Sequence, residues 1–170
     1  MTIAATSTTD THFTANQETS MFKNLIQGLV ATDANWATIA LRIPVGIIFA
    51  AHGAQKLFGW FGGYGLEGTG QWLASIGLEP GYLMALLAGG AEFFGGLALI
   101  AGLLVRPAAA VLAFTMVVAI FAVHIGNGLF MSNNGYEFGL ALLAASVSLA
   151  ISGAGRASVD RVLAGRIGTR

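Results

Sequence analysis

The 170-residue chain is 55% hydrophobic and 9% charged, with a mean hydropathy of +0.74; an ordinary soluble domain carries roughly 25% charged residues, so the composition is that of an integral membrane protein. The formal net charge is zero, which gives no electrostatic ground for partners such as nucleic acid or acidic substrates. The absence of cysteine excludes disulfides, thiolate metal sites, CxxC redox chemistry and iron–sulfur ligation, so any redox chemistry must use a borrowed cofactor.

Met1–Thr19 is rich in Thr, Ala and Ser, with no apolar run and no early basic cluster. It is not a secretory signal, and a disordered tail is expected, with His12 solvated. From Ser20 to Ala31, Met21, Phe22, Leu25, Ile26, Leu29 and Val30 fall at helical spacing opposite Lys23, Asn24 and Gln27. That pattern predicts a short amphipathic helix over 20–32, lying in the membrane interface or packed on the bundle end.

The predicted membrane domain covers 33–163. Asp33 is placed to cap the first span and Trp36 to anchor it. Span one runs from about Trp36 to Phe58 and contains Arg42 and Pro44. Arg42 lies within two turns of the start, where it either snorkels to the interface or pairs inside the bundle. Pro44 is expected to bend the helix or leave a carbonyl free.

Gly59–Gly81 mixes glycines with Trp60, Phe61, Tyr64 and Trp72, a composition suited to the headgroup level and to a cap or re-entrant turn. No strand precedes it and no Lys-Ser/Thr pair closes it, so it is not a phosphate loop.

Span two, Tyr82–Val105, is about 24 residues long, enough to cross a ~30 Å hydrocarbon core. Ala85/Gly89 and Ala98/Gly102 are small residues four apart, a spacing that lets helices approach closely in lipid. Arg106 and Pro107 are expected to end this span. Span three runs from Ala108 to about His124, and a turn, IGNGLFMSNNG, follows. Span four starts near Tyr136 and Glu137. The fold class expected is all-α, an integral membrane four-helix bundle with a short N-terminal amphipathic helix and a basic tail over 164–170.

The tail arginines Arg156, Arg161, Arg166 and Arg170 put the C-terminus in the cytoplasm, and four spans return the N-terminus to the same side. With that topology, every span supplies ionisable groups to the outward half: His52 and Lys56, Glu92, His124 and Glu137. Glu92 is the sharpest case. It lies about 16 Å into span two, where an unpaired charge costs at least ~2.5 kcal/mol, so it must be neutral or partnered.

The runs HGAQKLFGWFGG, GLEGTGQWLASIGL, AEFFGGLALIAGLLVRPAA, VHIGNGLF and YEFGLALLAASVSLAISGAGRASVD together resemble the DoxX family of small four-span membrane proteins, over roughly Ile39–Leu163. The resemblance implies a bacterial-type inner membrane location and a quinone-linked oxidoreductase or its membrane subunit. It carries over Lys56, Trp60, Glu92, His124 and Glu137 as the family's polar positions.

Three uses of the cluster follow. In the first, a quinone enters laterally, His52, Lys56 and Trp60 bind it, and Glu92, His124 and Glu137 handle protons and carbonyls while a soluble or membrane redox partner supplies electrons. In the second, His52, His124 and Glu92 hold a metal, or the two histidines hold a haem; this is the weaker expectation. In the third, the polar groups only tie helices or cap their ends, and the chain is a scaffold, an assembly partner or a small-molecule carrier. Membrane lipid and further copies of the chain complete the partners the sequence allows.

Overall fold

A computed structural model describes residues 21, 23–30 and 36–168. The expected tail at Met1–Thr19, the Asp33 cap and Arg170 lie outside the described residues. Every regular element among the described residues is helical. They are α1 (residues 23–30), α2 (Ala37–Phe58), α3 (Gly65–Ser75), α4 (Gly81–Ala101), α5 (Val105–Ala119), α6 (Glu137–Ser152) and α7 (Val159–Gly168). Past Ala119, α5 runs on through one π turn, Ile120–His124, and one 3₁₀ turn to Asn127.

Three of these helices are long and apolar enough to cross a membrane: Ala37–Phe58, Gly81–Ala101 and Val105–Asn127. The apolar α6 has 16 residues, about 24 Å at 1.5 Å per residue. The molecule is an all-α membrane bundle in which α2 packs chiefly on α4, and α5 on α6.

Its surface is apolar, with exposed Ile47, Leu87, Phe94, Phe114 and Phe121, while Arg42, Glu92 and Ser146 are buried. That inversion of the usual soluble pattern suits a lipid surround, where apolar side chains cost nothing outside and charges must turn inward. Val45, Phe49, Leu99, Leu112, Leu142 and Leu149 form the apolar core.

The α2–α4 contact is a glycine seam. A methyl group on Gly53 would lie 2.3 Å from the backbone nitrogen of Phe93, and one on Gly96 would lie 2.5 Å from that of Ala50. Only hydrogen at these positions lets the two backbones touch. Ala85 and Gly89 are buried on α4 as the small-residue spacing predicts.

Gly102 has a different role from the expected helix contact. It ends α4 in the left-handed conformation, φ 71°, with the Leu103 amide donating back to Ala98 O at 2.9 Å, so glycine stops this helix. Arg106 and Pro107, expected to do so, instead sit in the first turn of α5, where proline's missing N–H has no helical acceptor to forfeit. Pro44 lies within an unbroken α2. On α1, Leu25 and Leu29 are exposed and Val30 is buried, and Met21 just before it is exposed, so much of the apolar face is left uncovered by the bundle. The glycine-rich loop contains a full helix, α3, which packs on the first turns of α4.

Candidate functional site

The seam decides which side chains meet at mid-bundle. Gly53 touches the backbone at Phe93 and Gly89, and a side chain on Gly89 would press on Lys56 and Leu57. One turn beyond Gly53, Lys56 reaches Glu92, with Nζ donating to Oε2 at 2.5 Å. The Glu92 side chain is 4% exposed and that of Lys56 28%. The carboxylate is thus partnered at half the depth of α4, as its burial demands. Thr69 on α3 donates its hydroxyl to the Lys56 carbonyl at 3.5 Å, so α3 covers the end of α2 from which the lysine descends.

His52 is one turn before Lys56 on α2 and close enough to both Lys56 and Glu92 to feel their charges. Its ring lies 6.2 Å from that of Phe138 on α6. Trp60, in the 3₁₀ turn after α2, packs at a tilt against Phe58 with centroids 5.0 Å apart; Phe58 meets Phe93 edge-on at 5.2 Å, and Phe93 meets Phe94 at 5.3 Å. A line of aromatic rings thereby leads from the loop to the residue beside Glu92, with Trp60, Phe58 and Phe94 exposed.

His124 and Glu137 occupy the same end of the bundle, but they bond to the loop between α5 and α6. His124 Nδ1 pairs with Asn134 O at 2.9 Å, and Glu137 accepts the Met131 amide at 2.6 Å. Asn127 donates to Asn134 O at 3.2 Å. Among the described residues neither side chain hydrogen-bonds to His52, Lys56 or Glu92, and no three His, Asp or Glu groups gather as a metal-binding set.

A second buried charge lies at the opposite end. Arg42 is 2% exposed and donates to the carbonyls of Ala154 and, at 2.8 Å, Ala157. Of the two sequence readings, snorkelling gives way to burial, and the partners are backbone oxygens after α6. Asp160, 1% exposed, stands within electrostatic reach of Arg42 and accepts the amides of Leu104 and Val105 at 2.6 and 2.9 Å, capping α5. Sequence reasoning missed Asp160. The available signal was its position as the sole carboxylate of the arginine-rich tail.

The family profile described as DoxX matches residues 37–125. The chain is 37% identical over 123 residues to "Putative oxidoreductase CatD" of Bacillus subtilis, covering 72% of this chain and 84% of that one. It is 34% identical over 131 residues to "Inner membrane protein YqjF" of Escherichia coli, covering 74% and 90%. No solved structure matches it. The profile spans α2 to the π turn and holds the Lys56–Glu92 pair and its glycine seam within it: the chain belongs to the DoxX family of membrane proteins.

Proposed function

We propose that the chain is the membrane subunit of a quinone-linked oxidoreductase system and that the Lys56–Glu92 pair handles the protons. The observation that carries this reading is the pair itself: two titratable side chains in contact at mid-depth, one 28% exposed and the other 4%. The quinone is the substrate. Two electrons from a reduced soluble redox protein and two protons from the site convert its two carbonyls to two hydroxyls.

The headgroup stacks on the exposed aromatic line of Trp60 and Phe58 and turns a carbonyl toward Lys56 Nζ. As the oxygen gains electron density it takes a proton from the ammonium. That leaves the buried Glu92 carboxylate unpaired, which is costly, so the pair promptly recovers a proton, with His52 one turn away as the relay. His124 and Glu137 hold the α5–α6 loop at the rim of the same end and make the proton entry. The bland alternative is a scaffold in which the pair only ties α2 to α4. In the membrane, α6 completes a fourth span, and both termini face the cytoplasm of a bacterial-type cell. The inner-membrane name of the Escherichia coli relative supports that location.

The test is Glu92→Gln in lipid nanodiscs. The amide keeps the shape and an acceptor for Lys56 but cannot titrate. The expected result is a folded protein with a near-normal melting temperature, still stabilised by a short-chain quinone through mass action, whose quinone reduction with a reduced donor protein collapses. Unchanged turnover would leave the pair a helix tie and sink the proton role. Failure of any quinone to stabilise the wild-type chain would sink the substrate assignment.

A further inference from the structure

The charged groups of the described residues are sorted between the two ends of the bundle. Glu67 on α3, Glu79 before α4 and Glu137 at the start of α6 all lie at the α3 end. The other end, where α4 passes into α5 and α6 into α7, presents Arg156 and Arg161 on its exposed surface. Asp160 is the one carboxylate described there, and it is turned inward onto the Leu104 and Val105 amides. Its charge is spent on the α5 N-terminus and Arg42, so the exposed face of this end is positive.

Two contacts fix that face against the spans, and a third caps α7. The Asp160 amide donates to Gly102 O at 2.9 Å, Ser158 Oγ accepts the Arg161 amide at 3.2 Å, and the Arg156 guanidinium lies 5.9 Å over the ring of Trp36 at the start of α2. A guanidinium stacked on an indole spends none of its N–H donors in that contact, which keeps them available for a phosphate. Trp36 is itself 62% exposed, and Val159 and Val162, three residues apart on α7, are exposed beside Arg161. Apolar side chains and guanidinium groups therefore share one surface at the end of a membrane span, the arrangement of a helix lying in the headgroup plane.

We propose that this face, built from Trp36, Arg156, Val159, Arg161 and Val162, docks on the phosphate headgroups of anionic phospholipids. The valines and the indole enter the acyl boundary and the two arginines bind phosphate, as the charge complementarity of an anionic leaflet requires. The inference is independent of the quinone reading, since it uses the opposite end of the bundle.

The experiment uses the full-length chain in mixed micelles of phosphatidylglycerol and phosphatidylcholine, with bound lipid counted by native mass spectrometry. The wild type is expected to retain phosphatidylglycerol preferentially. R156Q/R161Q should weaken that retention by about five-fold per arginine, roughly 30-fold for the pair, whereas R156K/R161K keeps most of it. Melting temperatures of the three proteins in phosphatidylcholine alone should lie within a few degrees of one another, the glutamine variant losing only the contact of Arg156 with Trp36. If the glutamine variant does not fold, the wild type decides: raising the salt from about 0.05 M to about 0.5 M must erode the preference for the anionic lipid. Equal retention of the two lipids by the wild type, a preference unchanged in R156Q/R161Q, or one indifferent to salt overturns the proposal.

Discussion

Gly53→Ala puts the α2–α4 seam under a measurable load. The added methyl would stand 2.3 Å from Phe93 N, 2.7 Å from Phe93 Cα and 2.8 Å from Gly89 O. Ordinary contacts begin about 1 Å further out, and all three obstacles are backbone, so no rotamer change relieves them and the helices must separate. Overpacking of this kind costs about 1–3 kcal/mol. The separation also stretches the 2.5 Å Lys56–Glu92 contact one turn away, and weakening a buried ion pair adds on the order of 1–2 kcal/mol. Alanine's advantage over glycine in a helix returns only about 0.5–1 kcal/mol. The net expectation is a loss of about 1–4 kcal/mol.

Gly90→Ala is the internal control, because a methyl there meets nothing within 4 Å; it should gain about 0.5–1 kcal/mol. For a chain of this size the two variants should differ in melting temperature by on the order of 10 °C, measured in the same nanodiscs. A Gly53→Ala protein that melts at or above Gly90→Ala would refute the close-packed seam.

Asp160→Asn should cost about 2 kcal/mol, by removing the charge that caps α5 and faces Arg42, and should expose α7 to protease before the spans melt; equal protease resistance would show that the Asp160 carboxylate does not hold α7 to α5. Glu137→Ala removes the acceptor for the Met131 amide and should cost about 1 kcal/mol, read most directly as faster hydrogen exchange at Met131 with little change in global melting. A reporter fused after Arg170 should behave as cytoplasmic on the arginine count, and an external signal would invert the assigned orientation.

The helices that cross the membrane were legible because hydropathy and length act locally, and Glu92 was legible because one carboxylate in an apolar run is conspicuous. Its partner, Lys56, was among the ionisable groups placed in the same half of the membrane. The seam was read on α4 alone: Ala85 and Gly89 stand in its spacing, but Gly46 and Gly53 supply the matching face of α2, and no periodicity within one helix shows which turn of another it meets. Gly102 satisfied the same spacing and serves as a cap, because a glycine at a helix end is worth more for its positive φ than for its small size. Arg42 stayed ambiguous for a physical reason as well. Its partners are carbonyls of Ala154 and Ala157, more than a hundred residues away, and every residue has a carbonyl, so no motif marks them.

The two cations of α2 that are held inside the bundle, Arg42 and Lys56, differ in the partner each has. Arg42 is 2% exposed, is held by backbone oxygens that never change protonation, and belongs to a side chain that does not release its proton in proteins. It can hold the segment after α6 in place, and little else. Lys56 faces a carboxylate, and the lysine keeps a path to the surface through its 28% exposure. Two well-packed apolar residues often join helices as well as or better than a buried ion pair does. Two ionisable groups in contact at half the depth of α4, beside a line of exposed rings, are the observation on which the proposed proton handling at the α3 end rests.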